Sequence, residues 1–199
     1  MGFNAKQVDQ LLRPINANRV LRDGKGHSHV SQQDVTAHLI RVLGFGNFDT
    51  EVLHLECLFE HARLDANNTP NGRWDIGYRC TMRLIVKDEN GVAVAHYEDG
   101  ATATAQNQTL GDGHDLALKS AISYAKKRCA INLGDQFGLS LYNKGQTEAL
   151  VLGTLVRPAE DARKAQIRQY RDEDVQDGVP QQLALGHDET DTDLGGSDD

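Results

Sequence analysis

Three consecutive cations, Lys126-Lys127-Arg128, close a segment whose apolar residues recur at helical spacing. Three more, Arg79, Arg83 and Lys87, recur at every fourth residue of a segment that alternates apolar and polar side chains. Such groups bind polyanions, because Lys and Arg neutralise phosphates and release counterions without reading base sequence. In a strand, a spacing of four keeps the second set on one side, about 13 Å apart, or roughly two nucleotides of extended backbone. Residues 76–87 contain no acid that would neutralise the row from within. Each group also has an ordinary reading. A half-solvated sheet face is usual in antiparallel sheets, and cations at a helix C-terminus complement its dipole. Together the two groups predict a surface that holds single-stranded DNA by its backbone.

Groupings that could carry catalysis are poor. The chain has no G-x-x-x-x-G-K-[ST] motif for nucleotide phosphates, and Gly24-Lys25-Gly26 is not a phosphate loop. Glu98, Asp99, Asp112 and Asp115, with Lys119, are the set from which a metal-dependent DNA nuclease would be built. The three cysteines, Cys57, Cys80 and Cys129, are an odd number and far apart, and no Cys/His spacing suggests zinc. Cys57 and Cys80 fall on apolar positions of strand patterns, which predicts buried free thiols in a reducing compartment. The expectation is a binding protein, not an enzyme, with no metal and no cofactor.

The charge balance fits that expectation once it is divided. The chain has 21 Lys and Arg against 29 Asp and Glu, a net charge of −8. Ten of the acids lie in residues 172–199, which hold no Lys or Arg, so residues 1–171 carry 21 basic against 19 acidic residues. A weakly basic body therefore precedes an acidic tail. The tail, poor in large apolar residues, is expected to be disordered. It would serve as a solubilising segment, as a competitor of DNA for the basic groove, or as a docking segment for another recombination protein. No basic-then-apolar leader and no apolar run of membrane-spanning length is present, which predicts a cytoplasmic protein with no membrane partner.

The elements that must position the cations follow from period and punctuation. Asn4 caps a short helix with Val8, Leu11 and Leu12 inward, stopped by Pro14. Residues 22–29 read as a loop. Ser31, with Asp34 three residues on, opens a helix to about Leu43 with Val35, Leu39, Val42 and Leu43 inward, ended by Gly44. Leu53, Leu55, Cys57 and Phe59 alternate with His54, Glu56 and Glu60 as a strand. Ile76, Tyr78, Cys80, Met82, Leu84 and Val86 form the inner face of a second strand, beyond a turn at residues 65–72. Asp88-Glu89-Asn90-Gly91 is a hairpin turn, and the return strand begins at Val92 with residues 101–105 as its extension. Residues 107–113 read as a loop before a helix that starts near His114 or Asp115, with Leu118, Ile122, Ala125 and Cys129 facing the sheet. The prediction is an α+β fold, a βββα core with N-terminal helices, over residues 1–157. Residues 158–171 would follow as a polar helix or linker.

Residues 115–144 resemble the signature helix-turn segment of the Rad-fifty-two-type single-strand annealing proteins, including phage annealases of the Sak type. The shared pattern is Ala-x-x-x-Ala-x-Lys-Arg, a hydrophobic turn, Gly, and a short apolar segment ending in Asn/Asp-Lys. Here it runs from Ala121 to Arg128, then Leu133-Gly134, Gly138 and Asn143-Lys144. Val86-Lys87-Asp88 with Gly91, and Tyr97-Glu98-Asp99-Gly100, resemble the family's hairpin. Residues 11–19 and 44–48 resemble its N-terminal part, so the similarity covers roughly residues 8–145. It implies a homo-oligomeric ring with single-stranded DNA in a basic groove, in which Lys127 and Arg128 contact the DNA and Lys87 belongs to a second, outer site. It also implies ATP-independent annealing of complementary strands in recombination and repair, in a bacterial cell or phage-infected host. A single-strand binding protein, an exonuclease or a recombinase would be its working partner. Two departures stand out: Gln33-Asp34 occupy the place of a helix-borne arginine, with Arg41 as its substitute, and the second outer-site lysine has no counterpart. The candidate DNA-binding residues are Lys127, Arg128, Lys126, Arg79, Arg83 and Lys87. A metal-dependent nuclease and an RNA-binding module are the alternatives.

Overall fold

The computed structural model describes residues 2–155. The expected segments at 158–171 and 172–199 lie outside the described residues. The described chain is an α+β unit built on one three-stranded antiparallel sheet in the order β3-β4-β5. The sheet strands are β3 (Phe48–Leu64), β4 (Pro70–Lys87) and β5 (Ala93–Gln108). Helix α3 (Leu110–Ala130) lies across β4 and β5, α2 (Gln32–Leu43) packs against α3, and α1 (Ala5–Leu11) packs against α2 and the turn Asp135–Phe137. Two short strands, β1 (Leu21–Arg22) and β2 (Ser28–His29), pair where a loop was expected. A ladder of two residues per side leaves no periodic trace, which is why the sequence pattern misses it.

Local chemistry explains the boundaries. The Asn4 side chain accepts from Gln7 N while Gln7 reaches back to Asn4 N, a reciprocal cap. Ser31 accepts from Asp34 N at the start of α2, and Gly44 ends that helix. At the β4–β5 hairpin Asp88 accepts from the backbone of Asn90 and Val92, and Gly91 takes φ +77°.

Of the predicted inner face of β4, Ile76, Cys80, Met82, Leu84 and Val86 are buried and Tyr78 is half-buried. Two expectations for the neighbouring elements do not hold. The helix begins four residues early, because Thr109 caps it by accepting from Asp112 N. Its buried face includes Ala125 and Cys129 as expected, but its N-terminal half buries Gly113, Ala117 and Ala121, one residue off the predicted Leu118 and Ile122. Small residues every fourth position let the helix axis approach the sheet, so the larger Leu118 and Ile122 are displaced to its flank. At Gly113 a Cβ would come within 2.9 Å of the Ile76 Cδ1.

Strand β3 differs most from its sequence pattern. Its register with β4 slips by one bulged residue between Val52 and His54 and again between Cys57 and Phe59, while β4 carries two extra residues opposite residues 62–64. Each bulge reverses which residues face the helix side. Helix α3 packs on β4 and β5 and meets β3 near its N-terminal end, where His114 approaches Glu60, so much of the helix-side face of β3 is open. Cys57, expected to be buried, is exposed for that reason.

Candidate nucleic-acid interface

The C-terminal turn of α3, the middle of β5, the β1–β2 hairpin and the turns after α3 enclose a groove of about 1130 Å³. Its floor is apolar, formed by Ile131, Phe137 and Leu141. Its cations come from four places in the chain: Arg22 on β1, Arg79 on β4, Lys127 and Arg128 on α3, and Lys144 beyond it. His27 and His29 complete the basic rim, and the described residues that line the groove include no carboxylate. Arg79 reaches it because β5 places small residues in front of the central strand. Thr102 pairs with Arg79 and Gly100 with Thr81.

The surrounding structure fixes these side chains. Arg128 Nε donates to Asp99 Oδ1 at 3.0 Å, which ties the end of α3 to β5 and holds the guanidinium above its ordinary pKa. Lys127 Nζ stands 4.8 Å from the centre of the Tyr124 ring. The far lip is the Lys144-Gly145 turn, both residues at positive φ. It lies so close to the hairpin that a Cβ at Gly145 would meet Ser28 Oγ at 2.8 Å. The floor turn is held from the N-terminal side by Arg19, which donates to both carboxylate oxygens of Asp34 and to Gln136 Oε1 and backbone O. Gln136 in turn donates to the carbonyls of Arg13 and Pro14.

Of the six predicted DNA-binding residues, Lys127, Arg128 and Arg79 meet in the groove. Lys126 turns toward α2, where its Nζ donates to Thr36 Oγ1 at 2.9 Å and burial lowers its pKa. Arg83 pairs with Glu98 and Glu51, and Lys87 with Asp49, and neither residue lines the groove. Arg79 is itself bonded to Glu56 at 2.6 Å. Strands β3 and β5 thus supply across the ladder the acids that β4 lacks along it. Arg22 and Lys144 were not among the predicted site residues. Arg22 sits in a segment with no periodic signal, and only the Asn143-Lys144 ending marked Lys144.

The carboxylates of the nuclease alternative do not converge. Glu98 bonds Arg83, Asp99 bonds Arg128, Asp112 bonds the Thr109 hydroxyl and Asp115 bonds Lys119.

His38 lies behind the floor, buried, with its ring 5.0 Å from that of Phe137 and neither ring nitrogen hydrogen-bonded. Burial, with Arg19 and Arg41 nearby, pushes its pKa down to about 3 from 6.5. The unfolded chain takes up this proton near pH 6.5 and the folded chain only near 3. The contribution to stability is therefore complete above pH 6.5 and is lost as the pH falls toward 3. His38→Leu should remove about 2 kcal/mol of the stability difference between pH 7 and pH 5. Urea unfolding at the two pH values measures it, and an unchanged difference refutes the assignment.

A family model described as the Rad52/22 family double-strand break repair protein matches residues 4–152. That span takes in every element described above. No curated protein matches the chain. Among the described residues no helix is long and apolar enough to cross a membrane.

Proposed function

This chain belongs to the Rad52/22 family of double-strand break repair proteins, and from that premise we propose that it binds single-stranded DNA in the basic groove and anneals complementary strands without ATP. The observation that carries the reading is the groove itself, with five Lys and Arg side chains along a wall free of lining carboxylates. Cations at this density attract phosphates irrespective of sequence, and binding weakens as salt rises. A strand held by its backbone keeps its bases available, so pairing with a complement supplies the free energy that another machine would take from ATP. Tyr124 and Tyr142 are the aromatic residues beside the cations, so stacking adds little to the grip.

The same reading includes a homo-oligomeric ring. Strand β3 is a sheet edge of 17 residues on which Val52, Leu53, Leu55 and Leu58 are 38–48 % exposed. An edge that long and apolar promotes uncontrolled pairing unless another surface covers it. A neighbouring copy at each edge would cover it and make the groove continuous from subunit to subunit. The setting would be the cytoplasm of a bacterial or phage-infected cell, with an exonuclease, a recombinase or a single-strand binding protein supplying or receiving the strand.

The test mixes two complementary oligonucleotides with the full chain in the absence of nucleotide and follows duplex formation, with particle imaging alongside. Accelerated pairing by ring-shaped particles, suppressed by salt, is expected. Unaccelerated pairing refutes annealing. Strand degradation that requires magnesium would favour a nuclease, and equal affinity for duplex RNA an RNA-binding module.

A further inference from the structure

We propose that Cys57, Glu60 and His114 form a binding site for a divalent transition-metal ion of the zinc class, clipping the open edge strand β3 to the N-terminal end of α3. The inference is independent of the DNA reading. Along α3, His114 and Arg128 are separated by about 20 Å of helix, so the site lies well away from the groove.

A bulge creates it. In a regular strand, residues three apart face opposite sides. The extra residue Leu58 between Cys57 and Phe59 reverses the phase, so Cys57 pairs with Tyr78 and Glu60 with Ile76, both on the helix-side face of β4. The first turns of α3 carry His114 over the same spot. The His114 Nε2 is 3.4 Å from Glu60 Oε1, and Cys57 Sγ is 3.8 Å from the same oxygen. All three ligand atoms lie within 4.8 Å of one another. Thiolate, imidazole and carboxylate bonds to zinc are about 2.0–2.3 Å, so tetrahedral ligands sit roughly 3.4–3.6 Å apart. Two of the three separations are already close to that, and a small rotation of the exposed Cys57 side chain brings in the third.

The outer shell is also in place. The other ring nitrogen of His114, Nδ1, is 3.0 Å from the Tyr78 hydroxyl. With Nδ1–H donating to that oxygen, Nε2 presents its lone pair toward Cys57 and Glu60, the arrangement that orients a metal-binding imidazole. The Cys57 thiol releases its proton on binding, and thiolate and carboxylate together balance the ion's two charges, so the filled site is neutral. Three protein ligands leave one tetrahedral position to water. The mixed S, N, O set suits zinc, with cobalt as its spectroscopic stand-in, better than magnesium or calcium. Cys80 and Cys129 are buried in the main core and do not take part.

The experiment titrates the reduced, metal-free full chain with Co²⁺ and then Zn²⁺. A thiolate-to-cobalt charge-transfer band should grow with one equivalent of Co²⁺ and collapse when Zn²⁺ displaces it. Cys57→Ser should abolish the band. Glu60→Gln should weaken Zn²⁺ binding at least tenfold, and Tyr78→Phe, which acts through His114, by about tenfold. Zn²⁺ should raise the melting temperature of the wild type and leave that of Cys57→Ser unchanged. Cys57 and Glu60 are exposed, so their variants keep the fold, and circular dichroism verifies it. Absence of the band in the wild type, or wild-type Zn²⁺ affinity in folded Cys57→Ser, overturns the proposal.

Discussion

Replacing Lys127 and Arg128 together by alanine lowers affinity for single-stranded DNA by about two orders of magnitude while the chain remains folded. Hydrogen bonds to charged groups contribute about 1.5–3 kcal/mol each, and both side chains lie in the groove. Removing two phosphate contacts should also flatten the salt dependence, by a slope of about 1.4 for single strands. The fold survives because neither side chain belongs to the core; Arg128→Ala breaks one partly exposed ion pair with Asp99, worth about 1 kcal/mol or less. The informative control is Arg83→Ala with Lys87→Ala. Those cations are equal in number but lie outside the groove, engaged by Glu98, Glu51 and Asp49. Fluorescence anisotropy of a labelled oligonucleotide should show less than a threefold loss for them. Equal losses for the two pairs would mean that net charge, rather than the groove, governs binding.

That contrast also marks where the sequence was legible. Lys127 and Arg128 stand out through the resemblance carried by the local segment 121–128, since a basic helix end alone offers Lys126 equally, and that side chain turns to α2. The acids that engage Arg83 and Lys87 lie on other strands, at separations no periodicity reveals, so the row of three cations looked more available than it is. The same division runs through the fold. Residues 76–86 of β4 stay in unbroken register with β5, and the caps at Asn4 and Ser31 are set by residues within one turn. On β3 two bulges defeat a period-two reading, and Cys57 and Glu60 come to share a face that the pattern denies them. On α3 the largest apolar residues, Leu118 and Ile122, dominate any hydrophobicity pattern. The close approach of helix to sheet instead selects Ala117 and Ala121. The groove is legible only in part, since Arg22 and Lys144 lie at opposite ends of the fold in sequence and meet through the turn at Gly145.

Phe137→Ala should have the largest effect on stability, about 3–5 kcal/mol, out of a total that for domains of this kind is about 5–15 kcal/mol. Its side chain is fully buried, the largest in the core to be so, and it supports the groove floor from within. It sits in the short turn Asp135–Phe137, where backbone hydrogen bonds are few and position depends on side chains. On one side is the edge of the His38 ring, and the preceding residue is held by Arg19. Neither neighbour can fill the space, since His38 is packed in place and Gln136 is committed to the carbonyls of Arg13 and Pro14. The cavity therefore stays open and the full cost is felt, whereas Phe137→Leu, which fills most of it, should cost about 1–2 kcal/mol. Urea unfolding measures both, with an unchanged slope showing that only stability has moved. Under conditions where the alanine variant is still folded, its DNA affinity should fall far less than that of the Lys127/Arg128 variant, because none of the groove's cations stands on this turn. A cost below about 1 kcal/mol would show that the turn is not packed against α2 as described. A DNA defect equal to that of the cation variant would show that the floor, rather than the basic walls, carries the binding.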